Sequence, residues 1–225
     1  MKPITVLLAE DHEIVREGLR LLLKHESDIH VVGEAETGRQ AVEMATKLRP
    51  DVVVMDIAMP LLNGLEATRQ IRKAVPSAKV LILSAHSDDA YVEQMMTLGA
   101  SGFLLKQSSS HILVTAIREV QKGNTFFSPT VARRLKSRDQ KSIDRAGQIK
   151  KKNNSLSSRE MEVLQLIAEG QPNKQVAADL GISFKTVEKH RQHLMSKLNI
   201  HDTAGLTRYA ISAGIIENSV QVTII

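Results

Sequence analysis

Two residue periods alternate through the first 125 residues, and few folds tolerate that alternation. Short apolar or β-branched runs occur at residues 4–9, 30–34, 51–56, 79–84 and 101–106. Between them, apolar residues recur at helical spacing. Ile14, Val15, Leu19, Leu22 and Leu23 form one face, and Ala41, Val42, Ala45 and Leu48 form another. Val92, Met95, Met96 and Leu98 contribute to a third, and a last helix is expected after Ser109 with Ile112, Leu113, Ala116, Ile117 and Val120 turned inward. Strands separated by helices pair in parallel, since a crossover must return the chain to the same end of the sheet. The expectation is a doubly wound α/β domain of five parallel strands alternating with five helices. The runs Val52-Val53-Val54-Met55 and Val80-Leu81-Ile82-Leu83 are apolar throughout, as strands covered on both faces should be.

From Asn124 the pattern breaks. Ser128-Pro129 suits the start of a short helix through Ala132 and Leu135. Residues 136–154 are rich in charge, Ser and Asn, which reads as a flexible linker. From Leu156 onward every apolar spacing is helical. Ser157 or Ser158 caps a helix carrying Met161, Val163, Leu164 and Ile167 and ending near Gly170. Asn173 is expected to cap a second, with Val176, Ala177 and Leu180, ended by Gly181. Ser183 caps a third running to about Leu198, and a fourth follows Asp202. The division expected is 1–124 for the first domain, 125–154 for the linker, 155–217 for a separate all-α domain of four helices, and 218–225 for a tail.

Charge follows the same division. Residues 1–125 hold 14 basic and 16 acidic side chains, residues 126–154 hold 9 and 2, and residues 155–225 hold 7 and 7. The net +5 of the chain therefore sits in the segment between the domains. Such a segment attracts polyanions, nucleic acid being the usual one, and a solvated linker explains it equally well. The absence of cysteine excludes a disulfide framework and a Cys-based zinc site or nucleophile. No apolar run approaches the ~20 residues that span a bilayer, and the first residues lack the apolar stretch of a signal peptide. A soluble cytoplasmic protein without membrane partners is expected.

The polar residues of the first domain are not scattered. Glu10 and Asp11 follow the first strand, Asp56 ends the third, Ser84 the fourth and Lys106 the fifth. All five fall at carboxyl ends of strands, where open α/β sheets place their ligand crevice. Any one alone would be an ordinary strand-end polar group; five at one edge are not. Three converging carboxylates repel one another and attract a hard cation. Oxygen ligands with no expected His or Cys among them favour Mg²⁺ over zinc. An aspartate neutralised in this way can act as a nucleophile toward phosphorus. Lys106 would pair with phosphoryl charge and Ser84 would hydrogen-bond a phosphoryl oxygen.

Residues 1–125 resemble a receiver domain of two-component signalling. The resemblance rests on Val6-Leu7-Leu8-Ala9-Glu10-Asp11-His12, on Met55-Asp56-Ile57-Ala58-Met59-Pro60 followed by Asn63-Gly64, on Ser84-Ala85, and on Gly102-Phe103-Leu104-Leu105-Lys106. It implies a flavodoxin-like fold with Asp56 as phosphoacceptor. It also implies Mg²⁺ held by Glu10, Asp11, Asp56 and the backbone carbonyl of Ala58, with Ser84 as the switch hydroxyl and Phe103 as the switch aromatic. Phosphorylation would then reshape the surface made by the last strand and the last two helices. Gln107 stands where many receivers carry proline, and Glu10 where many carry aspartate. Ala58 and His86, each two residues past Asp56 and Ser84, would tune the phosphoryl lifetime.

In the second domain Ala177, Gly181 and Val187 have the spacing of a helix-turn-helix: a small residue at the crossing, glycine in the turn, an apolar anchor on the second helix. That second helix shows Lys185, Lys189, Arg191 and Lys197 against Glu188 alone, in a domain with no net charge. Residues 156–216 resemble the LuxR-type helix-turn-helix through Leu156-Ser157-Ser158-Arg159-Glu160-Met161-Glu162-Val163-Leu164, Ala168-Glu169-Gly170, Asn173-Lys174, Leu180-Gly181-Ile182-Ser183, Lys185-Thr186-Val187-Glu188-Lys189-His190 and Lys197-Leu198. Joined to a receiver, this looks like the NarL/FixJ class of response regulators. The resemblance implies that Glu188, Lys189 and Gln192 read base edges in the major groove of double-stranded DNA. Lys174, Lys185, Thr186, His190 and Arg191 would mostly hold phosphates. Leu206, Tyr209 and Ala210 would form a homodimer contact, although simple core packing also explains them.

The function expected is a transcription regulator in which a sensor histidine kinase phosphorylates Asp56 and the shifted receiver frees the helix-turn-helix to bind DNA as a dimer. Such a receiver promotes its own phosphotransfer and dephosphorylation but turns over no external substrate. Two rivals stand beside it. A phosphatase with an aspartyl nucleophile would carry a second Asp where Ala58 stands. A pure interaction module would bind protein through its C-terminal helices.

Overall fold

The computed structural model describes residues 2–85, 97–127, 131 and 156–216. The chain divides into two compact units, residues 1–150 and 151–225. In the first, the elements run β1 (Ile4–Ala9), α1 (Glu13–Lys24), β2 (Ile29–Ala35), α2 (Gly38–Leu48), β3 (Val52–Asp56), α3 (Gly64–Ala74), β4 (Lys79–Ser84), β5 (Gly102–Leu105), α4 (Ser110–Gln121) and β6 (Phe126–Phe127). Of the fourth expected helix, Val92, Met95 and Met96 lie outside the described residues, while Leu98 is partly buried against the core.

The strands form one sheet in the order β2-β1-β3-β4-β5-β6, every neighbouring pair parallel. The order reverses direction between β1 and β3. A crevice opens at such a switch point, beyond the carboxyl ends of the strands. Successive side chains of a strand point to opposite faces, and here both faces are buried. Leu7, Val53, Met55, Val80, Ile82 and Phe103 meet Ala41 and Ala45 of α2 and Leu65, Ala67 and Ile71 of α3. Val6, Leu8, Val52, Val54, Leu81 and Leu104 meet Leu23 of α1 and Leu113, Ile117 and Val120 of α4. This double burial is why residues 52–55 and 80–83 include no polar residue.

A sixth strand was not anticipated. Phe126 and Phe127 pair with Gly102 and Phe103 at the β5 edge, in the stretch that the sequence reading assigns to linker. A Cβ on Gly102 would crowd the Phe126 carbonyl oxygen at 2.6 Å, so glycine there permits the added strand. Val131 is buried in the same core cluster as Phe103. Ala132, Leu135 and the expected linker at 136–154 lie outside the described residues, as does the tail.

The second unit contains four helices: α5 (Ser158–Ala168), α6 (Asn173–Leu180), α7 (Phe184–Leu198) and α8 (Thr203–Ser212). Ser157 caps α5 in a complete capping box with Glu160. Ser183 caps α7 by accepting from the Thr186 N–H, and Asp202 caps α8 by accepting from Gly205. At α6 the expectation is corrected: Pro172, extended at φ −70° and ψ 152°, holds the cap position, and Asn173 is the first helical residue. Gly181, left-handed at φ 61°, turns the chain from α6 into α7. Val163, Leu164, Val176, Val187, Leu194, Leu206 and Ala210 are buried and form the aliphatic core. No helix among the described residues is long and apolar enough to cross a membrane.

Candidate phosphoacceptor pocket and nucleic-acid interface

Glu10, Asp11 and Asp56 converge beyond the ends of β1 and β3. Together with His12 they offer ligand atoms that all lie within 4.8 Å of one another. Lys106, one residue past β5, reaches across from the other side. Its Nζ donates to Glu10 Oε1 at 2.9 Å and to Asp56 Oδ2 at 3.0 Å, and stands 2.8 Å from Glu10 Oε2. The Lys106 N–H also donates to the Ser84 carbonyl at 2.8 Å, which ties the lysine to the strand carrying the expected switch hydroxyl. Ser84 and Phe103 are both buried. Ala58, half-buried, lies in the loop between β3 and α3.

Asp56 is held by backbone as much as by charge. Its Oδ1 accepts from the Ile57 N–H at 2.7 Å. The Gly64 N–H donates to the Ile57 carbonyl at 2.7 Å, and a Cβ on Gly64 would overlap the Asp56 carbonyl oxygen. Asn63 caps α3 by accepting from the Glu66 N–H. The Asn63-Gly64 pair therefore clamps the Asp56 backbone onto the start of α3.

The electrostatics are frustrated. Burial, and then the neighbouring Glu10 carboxylate, push Asp56 up to about 7, against the pull of Lys106 and the Ile57 N–H. Burial pulls Lys106 down, but Asp56 and Glu10 outweigh it and raise its pKa. One ammonium is shared between two carboxylates. Glu10 Oε2 and Asp11 Oδ1 are buried without a hydrogen bond, although each has a charged or chargeable nitrogen within 3.0 Å. Buried carboxylate oxygens left in this condition fit a small cation of high charge density.

Two participants were missed. His12 was read only as part of a motif, and no histidine was expected beside the carboxylates. Its Nδ1 lies 3.0 Å from both Glu10 Oε1 and Asp11 Oδ1, because the turn after β1 curls back on itself. Its side chain is 57% exposed, so the donor set remains dominated by carboxylate oxygen. Arg16 is buried and donates from Nη1 to the Glu10 carbonyl at 2.8 Å. The signal was present in the sequence: Arg16 stands three and seven residues before Leu19 and Leu23, on the inward stripe of α1.

On α7, Lys185, Glu188, Lys189 and Gln192 are exposed, Thr186 is half-buried, and with Ser183 they line one shallow groove. Lys174 is exposed on α6. Arg191 is turned inward: Nη1 donates to Asn173 Oδ1 at 3.1 Å and Nη2 to Thr203 Oγ1 at 2.7 Å, bracing α7 against α6 and α8. Burial and the nearby Arg159 guanidinium lower the pKa of His190. Leu206 and Ala210 are completely buried, which makes them core residues rather than contacts for a partner; Tyr209 keeps part of its surface exposed.

Comparison with known proteins agrees with this geometry. Residues 6–118 match the response regulator receiver domain, and residues 154–210 match the luxR family of bacterial regulatory proteins. The chain is 38% identical over 210 residues to the transcriptional regulatory protein DegU of Brevibacillus brevis, covering 88% of this chain and 89% of that one. It is 36% identical over 214 residues to the response regulator protein VraR of Staphylococcus aureus, covering 95% and 99%. A solved structure of two RcsB dimers bound to two parallel DNAs is similar at 29% identity, with a TM-score of 0.57 over 94% of this chain and 99% of that one. The chain belongs to the two-component response regulators that join a receiver domain to a LuxR-type helix-turn-helix domain.

Proposed function

We propose that Asp56 accepts a phosphoryl group from a sensor histidine kinase and that phosphorylation biases the chain toward a dimer bound to promoter DNA. The observation that carries this reading is Lys106 Nζ poised within 3.0 Å of both Asp56 and Glu10 at the sheet's switch point. An Asp56 carboxylate oxygen attacks phosphorus, the bond to the donor breaks, and an acyl phosphate forms. Lys106 is placed to follow the phosphoryl charge, and the Ser84 hydroxyl to donate to a phosphoryl oxygen. Glu10, Asp11, Asp56 and the Ala58 carbonyl would hold Mg²⁺, which supplies neutralisation of the crowded negative charge. Phe103 reports the change to the β5 edge. The receiver promotes its own phosphotransfer and turns over no other substrate.

The exposed arc of α7 suits a major groove. Glu188, Lys189 and Gln192 read base edges, while Lys174, Lys185 and Thr186 hold phosphates. Arg191 acts chiefly by fixing α7 within its domain, and His190 faces the phosphates beside Lys185 and Thr186. Dimerisation draws on the exposed part of Tyr209; the RcsB dimers bound to DNA support a dimer, without bearing on which residues form it. The protein works in the cytoplasm, where kinase and promoter are both accessible.

A gel shift on random-sequence DNA, with and without acetyl phosphate and Mg²⁺, tests the whole reading. Phosphorylation should tighten binding, and Asp56→Asn should abolish both labelling and tightening. Lys185→Ala should weaken binding on all sequences and reduce the salt slope by about one. Persistent labelling of Asp56→Asn would reject the acceptor. Absence of any shift would favour a protein-binding module, and sustained hydrolysis of phosphate esters would favour a phosphatase.

A further inference from the structure

We propose that Arg16 is a positioning residue for the pocket: it sets the orientation of the peptide between Glu10 and Asp11, and through it the cation affinity of the site. This rests on the reading of the pocket given above. Arg16 is 8% exposed. Its Nη1 donates to the Glu10 carbonyl at 2.8 Å, its Nη2 donates to Glu36 Oε1 at 2.8 Å, and its Nε stands 3.5 Å from Glu34 Oε2. The Glu10 carbonyl belongs to the peptide that joins the two pocket acids. That peptide lies between the end of β1 at Ala9 and the start of α1 at Glu13, where no regular ladder fixes its plane. On the other side of Glu10, its N–H donates to the Ala35 carbonyl of β2 at 3.0 Å. Glu10 is thus pinned at both backbone ends, once by the sheet and once by Arg16.

Stability alone is a poor reason for this arrangement. The Arg16 partners Glu34 and Glu36 are exposed, so these ion pairs contribute little to stability, while burying the guanidinium costs desolvation. Arg16 stands on the inward stripe of α1 with Leu23, where an aliphatic side chain would pack well. An aliphatic side chain cannot donate to the Glu10 carbonyl. A charge-assisted hydrogen bond fixes direction as well as distance. Without it the peptide is free to rotate, and Asp11 swings relative to Asp56. Groups that orient ligands in this way typically change metal affinity by about 10- to 100-fold when removed.

The test uses the full chain and MgCl₂ alone, by calorimetric titration, with thermal unfolding in EDTA as the control. Arg16→Met is expected to bind Mg²⁺ about tenfold more weakly or worse while its metal-free melting temperature stays close to that of the parent. Arg16→Lys, which keeps one donor, should recover part of the affinity. Labelling of Arg16→Met by acetyl phosphate should recover as Mg²⁺ is raised, a shift in the Mg²⁺ requirement rather than in the limiting yield. Unchanged Mg²⁺ affinity in Arg16→Met overturns the proposal, and so does an affinity loss matched by a collapse in melting temperature. If that variant fails to fold, Glu36→Ala removes the distant, solvent-facing anchor; a loss of Mg²⁺ affinity supports the proposal, and no loss overturns it. A parent chain that takes up no Mg²⁺ defeats the reading of the pocket itself, a failure distinct from that of Arg16.

Discussion

Asp56 in the receiver and Glu160 in the helical domain make an instructive pair. Each is 3% exposed, and each accepts from a lysine, Lys106 at 3.0 Å and Lys197 at 2.7 Å. Their acidities nevertheless move in opposite directions. Burial raises Asp56 to about 7, helped by Glu10. Burial also works to raise Glu160, but Lys197 and the Ser157 N–H and hydroxyl overcome it and hold the carboxyl below its ordinary value. The difference is crowding. Lys106 is divided between two carboxylates, with Asp11 close by, whereas Glu160 accepts from Lys197 and also from the N–H and hydroxyl of Ser157 in its capping box. A buried acid whose charge is satisfied is architecture; one whose charge is contested is poised for a cation or an electrophile.

The largest way to disturb this contrast is through backbone. Gly64→Ala forces a methyl group into the Asp56 carbonyl and is expected to cost about 3 kcal/mol and to suppress labelling by acetyl phosphate. Unfolding and labelling unchanged from the parent would show that the clamp on Asp56 is dispensable. Next come the acids themselves. In metal-free protein at pH 8, Asp56→Asn relieves repulsion and should stabilise the receiver by about 1–2 kcal/mol. Glu160→Ala breaks a capping box and an ion pair and should destabilise its domain by about 1–3 kcal/mol. Domain-resolved unfolding by NMR measures both, and shifts of the same sign would dissolve the contrast.

pH should separate the two regions in the same way. Asp56 keeps its proton in the folded state up to about 7 but loses it near 3.8 when unfolded. Its contribution is therefore complete below about pH 4 and is lost as pH rises through 7. Glu160, held below 4.5, contributes above that value and loses its contribution as pH falls through its depressed folded pKa. Unfolding followed across pH 3 to 8 in EDTA should show opposite slopes for the two domains, and adding Mg²⁺ should flatten only the receiver's. Gly181→Ala is expected to have the smallest effect, about 1 kcal/mol, from left-handed backbone strain alone, because nothing lies within 4 Å of a Cβ there. A cost well above that, measured by thermal melting, would reveal a packing role for the turn.

Much of this molecule was legible before folding was considered. The apolar runs of β3 and β4 marked buried strands because double burial leaves no room for a polar face, and the polar residues at the carboxyl ends of the first, third, fourth and fifth runs marked the pocket's edge. The glycine and cap residues of the helix-turn-helix were equally plain, since left-handed turns and free N–H groups demand particular side chains. Other features were hidden. Two residues are too few to show any period, so β6 at Phe126 and Phe127 escaped notice. Asn173 looked like a cap, yet proline's fixed geometry takes that position and the Asn173 amide oxygen goes to Arg191. Leu206 and Ala210 matched a dimer contact by resemblance, and only their complete burial shows that they belong to the core.

Residue types and their spacing alone determined the layered α/β unit, the helical unit and the acids, serine and lysine at the sheet edge. Local propensity and binary burial are properties of neighbours along the chain. Tertiary structure decided what those groups do to one another. Lys106 meets a glutamate 96 residues away and an aspartate 50 residues away, and Arg16 braces a peptide six residues behind it. Which carboxylate keeps its charge depends on distances of about three ångströms and on exclusion of water, and linear order encodes neither.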